Sequence, residues 1–238
     1  MKGPGFDLVL KVGGSLGRRP RRLAPLMRRV ADLARRVRLV VLPGGGVFAD
    51  LVRAEKDRLG LEEARAHRMA LLAMDQYGLA LARFCPGARP VTTLEAARRL
   101  AAAGRAPILL ASALLGRERR LEKSFRLTSD SIAAYVAKRT RVPRLALLKS
   151  TTRPDGRLRT PEEARRLARR GVVDPLFPGL LPRGLEVWVL NGRRAEAIER
   201  LAAAPARRPD PARPRLAGPG SRRRRSTAGR RAARRGTG

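Results

Sequence analysis

The stretch Leu8-Val9-Leu10-Lys11-Val12-Gly13-Gly14-Ser15 decides the fold. A short apolar run that ends in glycine is typical of a buried β-strand followed by a turn. Glycines at this place let the backbone approach a phosphate closely, and a helix that follows adds its dipole. Lys11 interrupts the apolar run, and a lysine is rarely buried without a partner. The stretch therefore predicts a strand that brings a cation to an anion-binding loop, although a strand-end lysine can also reach solvent.

A second glycine loop, Pro43-Gly44-Gly45-Gly46, follows the strand-like residues 38–42. A single glycine loop is most often an ordinary tight turn. Loops that follow parallel strands, however, lie at the carboxyl ends of those strands, which is where open α/β sheets bind ligands. Two such loops, one of them preceded by Lys11, favour phosphate binding.

The rest of residues 1–204 alternates short apolar runs with amphipathic stretches. This alternation predicts an α/β fold, a three-layer αβα sandwich with an open, mostly parallel sheet and helices on both faces. The predicted strands are 8–12, 38–42, 89–93, 108–111, 144–149 and 186–190. The predicted helices are 22–36, a helix that follows Gly46 and ends at about Arg58, 61–84, 94–103, 128–139, 161–170 and 193–204.

Further polar residues interrupt this apolar pattern. Thr128-Ser129-Asp130-Ser131 opens a helix, and it contains more polar residues than an N-cap alone requires. Lys149 ends the strand-like residues 144–149, and Asp155-Gly156 follows in a polar loop. Two strand-end lysines, two glycine loops and a carboxylate suit phosphoryl transfer, which depends mainly on positioning and charge neutralisation. The chain lacks G-x-x-x-x-G-K-[ST], so it is not a P-loop protein.

Charge and composition divide the 238-residue chain. The net charge is +34, and residues 205–238, with 12 Arg and one Asp, carry +11 of it and no aromatic residue. We expect this tail to be disordered, because it cannot form a core, and it could contact polyanions nonspecifically. One Cys and one His exclude a disulfide framework and argue against a metalloenzyme, so no metal-ligating residue is predicted. No apolar run is long enough to span a membrane, and we expect a soluble, cytoplasmic protein.

The motifs around Lys11, Gly44, Asp130, Lys149 and Asp155 occur in the order found in the amino acid kinase superfamily, which the chain resembles over residues 6–204. That superfamily includes acetylglutamate, aspartate, uridylate and isopentenyl phosphate kinases. Within it, the segments 66–70, 74–78 and 171–175 are most similar to aminomethylfuran phosphate kinases of methanofuran-type cofactor biosynthesis. The resemblance implies a kinase that uses ATP and Mg²⁺ to convert a phosphate monoester to a diphosphate, and it implies a homo-oligomer.

The resemblance also implies roles for individual residues. Lys11, Asp130 and Lys149 would be catalytic, with Asp130 organising the two lysines or the metal. The implied ATP-binding residues are Gly13, Gly14, Ser15, Ser129, Asp155 and Gly156. Gly44, Gly45 and Gly46 would hold the acceptor phosphate. Residues 151–154 depart from the compact Val-Asp-Gly often found before the nucleotide loop.

The acceptor side can also be interpreted from the residues. A phosphate acceptor carries an ionised oxygen and needs no strong general base, which fits a chain with one His. His67 is a candidate ligand of the acceptor phosphate, with a structural role as the alternative. Asp75, Asp174 and Asp50 are candidate partners of a cationic aminomethyl group. Two alternatives remain open: another acceptor, which could be a carboxylate, a nucleotide or an isoprenoid phosphate, and a basic nucleic-acid-binding protein.

Overall fold

A computed structural model describes residues 5–116, 118–151 and 155–203. The predicted tail, residues 205–238, and the loop residues 152–154 lie outside these ranges. Within the described ranges, no helix combines the length and apolar character needed to cross a bilayer.

Within the described residues, seven strands form one sheet. In chain order they are β1 (Leu8–Val12), β2 (Leu39–Pro43), β3 (Arg89–Val91), β4 (Pro107–Leu109), β5 (Arg144–Lys149), β6 (Gly156–Arg157) and β7 (Glu186–Asn191). Their order across the sheet is β3-β4-β2-β1-β5-β7-β6. All neighbouring strands are parallel except β6, which is antiparallel to β7.

Helices fill most of the connections between the strands. They are α1 (Pro20–Ala34), α2 (Gly46–Arg58), α3 (Glu63–Ala82), α4 (Leu94–Ala102), α5 (Ser112–Leu115), α6 (Ser129–Thr140), α7 (Pro161–Arg169), α8 (Phe177–Leu180) and α9 (Ala197–Ala203). Three of them, α4, α6 and α7, have an N-cap threonine whose hydroxyl oxygen accepts a hydrogen bond from a backbone N–H of the first turn: Thr93, Thr128 and Thr160. Such caps satisfy N–H groups that have no partner within the helix.

Alternate residues of the central strands enter two separate hydrophobic clusters. Val9 packs in a cluster with α4, α6, α7 and α8, whereas Leu8 and Leu10 pack in another with α1 and α9. Because side chains alternate across a strand, this division places helices on both faces of the sheet. The predicted three-layer α/β fold is therefore confirmed.

The central strand β1 marks the place where the strand order reverses. Its neighbours are β2 on one side and β5 on the other, so the chain leaves β1 in one direction and later returns on the opposite side. In open α/β sheets, the connections that follow the two neighbouring strands lead in opposite directions at such a position. A crevice for ligands lies between them, outside the carboxyl ends of the strands. The residues that follow β1, β2 and β5 all reach this crevice.

The sequence did not predict the smallest elements. β6 has two residues, and α5 and α8 have four residues each. Elements this short contain less than one period of a hydrophobic pattern, so periodicity cannot reveal them.

Candidate active site

Lys11, Asp130 and Lys149 form a buried ionic cluster. The Nζ atom of Lys11 lies 2.8 Å from Oδ1 of Asp130, and Lys149 donates a hydrogen bond of 2.6 Å from Nζ to Oδ2 of the same carboxylate. The side chains of Lys11 and Asp130 are each 4% exposed, and that of Lys149 is 18% exposed. The structure thus joins the ends of β1 and β5 to the first turn of α6 through one carboxylate.

The register of the sheet directs both lysines to the same face. Lys11 is the partner of Leu147 in β5, and Lys149 lies two residues further along that strand. Since side chains alternate, residues two apart share a face, and this is the face on which α6 packs. Asp130, the second residue of α6, therefore meets both ammonium groups.

The electrostatics of the cluster favour an ionised carboxylate. Burial alone would raise the pKa of Asp130, but the charges and hydrogen bonds of Lys11 and Lys149 outweigh it and lower that pKa. Burial and the like charge of Lys149 lower the pKa of Lys11, and Asp130 opposes this shift. Two ammonium groups around one carboxylate leave a net positive charge, which suits a phosphoryl group.

The two glycine loops touch each other through their backbones. A Cβ atom on Gly14 would lie 2.1 Å from the backbone N of Gly46, so a side chain does not fit there. Gly46 has a φ of +59°, in the left-handed region that glycine adopts without strain. Tyr77, a buried residue of α3, lies under both loops, and its hydroxyl donates to the carbonyl of Gly13 at 3.4 Å. The loops are therefore held together as one unit.

A cavity of about 240 Å³, the glycine-loop cavity, opens beside this contact. Its wall includes the predicted residues Gly14, Ser15, Gly45, Gly46, His67 and Ser129. It also includes Arg18 and Arg53, which were not predicted. Asp50 accepts hydrogen bonds from Arg18 at 2.8 Å and from Arg53 at 3.4 Å. Asp50 is itself part of the wall. The cavity therefore combines glycine backbone with two guanidinium groups that one carboxylate holds in place, and the two cations exceed the one anion, which favours an anionic ligand.

A second cavity, the arginine-lined cavity of about 250 Å³, shares Ser15 and Arg18 with the first. Its wall also contains Arg19, Arg22, Ser150 and Arg193. The hydroxyl groups of Ser15 and Ser150 lie 2.8 Å apart and join the ends of β1 and β5. The ionic cluster adjoins both cavities along the chain, because Ser129 precedes Asp130 and Ser150 follows Lys149.

His67 is a buried residue of α3 that separates the glycine-loop cavity from a third cavity. Its Nδ1 atom lies 3.0 Å from the carbonyl oxygen of Ser124, which can only accept, so Nδ1 carries a proton and donates. Burial lowers the pKa of His67, and the imidazole is neutral at neutral pH. The third cavity, about 420 Å³, lies along α3 and α5 and also has His67 in its wall. We call it the α3–α5 cavity.

Asp75 and Asp174, predicted as substrate ligands, instead bind protein groups. The Asp75 carboxylate accepts hydrogen bonds from the backbone N–H and the hydroxyl of Ser112 at the start of α5. Asp174 is buried, and its two oxygens accept from Thr128 and Ser131 at the start of α6 and from the N–H groups of Leu176 and Phe177. Neither residue is in the wall of the glycine-loop cavity. The geometry favours a positioning role for Asp174, which fixes the turn that presents Asp130.

Asp155 and Gly156, predicted as nucleotide ligands, lie near the end of β7. The Asp155 carboxylate accepts from the N–H of Asn191 at 3.0 Å and from Arg200 at 2.6 Å. Asn191 is the register partner of Lys149, so Asp155 approaches the same edge of the sheet. Both predicted residues line a separate cavity of about 920 Å³, and neither is in the wall of the glycine-loop or the arginine-lined cavity.

The side chains of the described residues do not form a metal-binding site by themselves. Among the described residues, no three His, Cys, Asp or Glu side chains are grouped to bind an ion. Both oxygens of Asp130 already face ammonium groups. Mg²⁺ usually binds one or two carboxylates together with substrate phosphates and water. The donor set therefore fits an Mg²⁺ ion carried by the phosphates of a nucleotide rather than a resident ion.

The chain is similar to known proteins both in sequence and in fold. A sequence model of the amino acid kinase family matches residues 8–152. The [5-(aminomethyl)furan-3-yl]methyl phosphate kinase of Methanocaldococcus jannaschii is 28% identical over 198 residues, which cover 80% of this chain and 90% of that protein. The uridylate kinase of Archaeoglobus fulgidus has a similar fold, with a TM-score of 0.63, 16% identity, and coverage of 84% of this chain and 97% of that one. The UMP kinase of Ureaplasma parvum gives a TM-score of 0.58 at 14% identity, covering 83% of this chain and 95% of that one.

Proposed function

Because the chain belongs to the amino acid kinase family, we propose that it transfers the γ-phosphoryl group of ATP to a phosphate monoester. The products are ADP and a diphosphate. The observation that carries the proposal is the pair of cavities that share Ser15 and Arg18 beside the ionic cluster of Lys11, Asp130 and Lys149. Two anions can bind on opposite sides of the Gly14–Ser15 backbone, with cationic side chains near both.

Each cavity suits one of the two substrates. The arginine-lined cavity lies at the ends of β1, β5 and β7 and suits the phosphates of MgATP. The glycine-loop cavity suits the acceptor phosphate, which the backbone N–H groups of Gly45 and Gly46 and the guanidinium groups of Arg18 and Arg53 would bind. The N–H of Gly44, predicted to take part, instead donates to the carbonyl of Val12 at 2.8 Å. Mg²⁺ enters as part of the MgATP substrate and neutralises charge on its phosphates.

Transfer needs little covalent help from the protein. An ionised oxygen of the acceptor phosphate attacks the γ-phosphorus, and the bond from that phosphorus to the β–γ bridging oxygen breaks as ADP leaves. A phosphate monoester has a second pKa of about 6, so the attacking oxygen carries no proton at neutral pH and no general base is required. Lys11 and Lys149 stabilise the negative charge on the transferring group, and Asp130 holds their ammonium groups in place.

We further propose that the acceptor is [5-(aminomethyl)furan-3-yl]methyl phosphate. This is the substrate in the name of the Methanocaldococcus jannaschii relative, which aligns with 80% of this chain. The α3–α5 cavity supports the choice, because it adjoins the glycine-loop cavity and offers apolar surface for a small ring. The corresponding role would be in the biosynthesis of a methanofuran-type cofactor.

An assay of purified protein with a panel of acceptors tests the proposal. ADP formation and ³¹P NMR of the product would be measured with the aminomethylfuran phosphate, isopentenyl phosphate, UMP and acetylglutamate. We expect diphosphate formation to be fastest with the first of these.

Two lysine variants test whether the ionic cluster performs the reaction. Lys11→Ala should lower kcat by about 10²-fold or more, because it removes a cation placed at the transferring group. Lys138→Ala, an exposed lysine of α6, is the matched control and should leave kcat unchanged. Turnover by Lys11→Ala close to that of the unmodified chain, or no reaction with any phosphate monoester, would contradict the proposal.

A further inference from the structure

The α3–α5 cavity continues the acceptor site. It shares His67, Leu71 and Leu127 with the glycine-loop cavity. A molecule whose phosphate lies against Gly45 and Gly46 would therefore extend past His67 into the α3–α5 cavity. The volume of about 420 Å³ lies within the range of small-molecule sites and exceeds what a five-membered ring needs.

Part of the wall of this cavity is apolar. Leucine side chains from α3, from the end of α5 and from the following loop form it: Leu71, Leu72, Leu115, Leu121 and Leu127. The cationic side chains of the wall, Arg68 and Lys123, are exposed and can turn their charges to solvent. A ring buried here would lose contact with water, and a charge attached to that ring would need a partner within the wall.

Glu118 is the carboxylate placed to be that partner. The Tyr135 hydroxyl donates a hydrogen bond to one of its oxygens, and the N–H of Arg120 donates to the other at 3.0 Å. Its side chain is only 16% exposed, and the hydrogen bond from Tyr135 lowers its pKa, so the carboxylate is ionised at neutral pH. Arg139 lies 3.9 Å away and is half exposed, too distant for a strong hydrogen bond.

The other acidic groups are less suitable. Asp50, a predicted partner of the aminomethyl group, lines the glycine-loop cavity instead and is already paired with Arg18 and Arg53. Glu122 also lines the cavity, but its side chain is 37% exposed and accepts a 2.5 Å hydrogen bond from Ser124 within its own loop. Asp75 and Asp174 bind Ser112 and the start of α6, as described above. Glu118 is therefore the carboxylate in this wall that is both shielded from solvent and held by neighbours.

We propose that Glu118 binds the ammonium group of the acceptor and thereby selects acceptors with a cationic arm on an apolar ring. This inference rests on the proposed function, because it assumes that the acceptor phosphate occupies the glycine-loop cavity. Glu118 does not touch the transferring group, so it contributes to acceptor specificity rather than to the chemical step.

A pair of acceptors that differ only in the amine tests the inference. The aminomethylfuran phosphate would be compared with its analogue in which a methyl group replaces the aminomethyl group. For Glu118→Gln we expect kcat/KM to fall at least about tenfold with the amine and to change little with the analogue, since a shielded charge pair is lost only with the amine. Glu95→Gln, at a position that is 80% exposed on α4, is the matched control and should leave both values unchanged.

The outcomes separate this inference from the proposed function. An equal loss with both acceptors, or no loss with either, overturns the role of Glu118 while the kinase activity stands. If the unmodified chain phosphorylates both acceptors equally well, the role of Glu118 is also overturned and the kinase activity stands. If the unmodified chain phosphorylates neither furan but another phosphate monoester, the proposed acceptor and the role of Glu118 both fall. Tyr135→Phe keeps the carboxylate and its hydrogen bond from the N–H of Arg120 and removes only the one from Tyr135, so it should weaken selection for the amine less than Glu118→Gln does.

Discussion

Replacing Asp130 by Asn removes the one carboxylate that holds two buried ammonium groups. Its oxygens lie 2.8 Å from Lys11 and 2.6 Å from Lys149. At an effective dielectric constant of about 20, each pair is worth about 6 kcal/mol before desolvation is counted. Desolvation offsets several kcal/mol for each ion, so we expect the variant to lose about 3–5 kcal/mol of unfolding free energy at pH 7.

The loss should depend on pH in a defined direction. Burial lowers the pKa of Lys11 in the folded chain, and without Asp130 nothing in the pair opposes that shift. A lysine with a lowered pKa in the folded state destabilises the fold below its unfolded pKa of about 10.5, and this effect fades as the pH rises. At acidic pH, protonation of Asp130 removes its ion pairs with Lys11 and Lys149, so the unmodified chain loses the stability that these pairs add. The deficit of Asp130→Asn should therefore be largest near neutral pH and smaller at pH 10.

Urea unfolding of both chains at pH 7 and pH 10 measures this deficit. Asp32→Asn is the control, because that carboxylate is 44% exposed in a pair with Arg35 and should contribute less than about 1 kcal/mol. The same samples should show kcat lowered by about 10²–10³-fold in Asp130→Asn, since the two lysines are no longer held at the transferring group. A variant as stable as the unmodified chain at pH 7, or a deficit that grows towards pH 10, would refute the reasoning.

Three further changes test other parts of the molecule. Gly14→Ala should separate the glycine loops and abolish measurable activity, because the new Cβ would lie 2.1 Å from the backbone N of Gly46. Gly179→Ala is the control and should be active, because no atom lies within 4 Å of the added Cβ. His67→Gln should leave the pH profile of acceptor kcat/KM unchanged between about pH 6.5 and pH 8, because burial lowers the pKa of His67 and the imidazole is neutral throughout that range. A profile that differs between the two chains in that range would show that His67 titrates there. Removal of residues 205–238 should leave kcat unchanged. The shortened protein should elute from heparin at a lower salt concentration, because 12 Arg are lost. Loss of activity would show that the predicted domain boundary is wrong.

The sequence predicted the centre of the fold because that region is strongly patterned. The bounds of β1 and β5 agree with the predicted residues, since each is a buried apolar run stopped by glycine or by a polar loop. The argument that parallel strands end at one edge also predicted that Lys11, Lys149 and both glycine loops would meet. Asp130 could be placed with them because polar residues at the start of a helix exceeded what capping requires.

Side-chain partners far apart in sequence could not be predicted in the same way. Asp174 binds Thr128 and Ser131, more than 40 residues earlier, and nothing in its local sequence indicates that contact. Arg18 and Arg53 could not be chosen from 48 arginines, because only the folded chain shows which guanidinium groups face the cavity. Tyr77 lies within the segment 74–78, but its contact with both glycine loops depends on how α3 packs.

The register of β1 against β5 fixes the positions of Lys11 and Lys149 relative to each other. Insertion or deletion of a single residue within either strand would turn one lysine towards the opposite face, where α1 and α9 pack, and would leave its charge in a hydrocarbon layer. A change of two residues would restore the face but displace that lysine by about 6.6 Å, well beyond the reach of Asp130. Length changes in related chains should therefore be confined to the loops and helices, while these two strands keep a constant length between the start of each strand and its lysine.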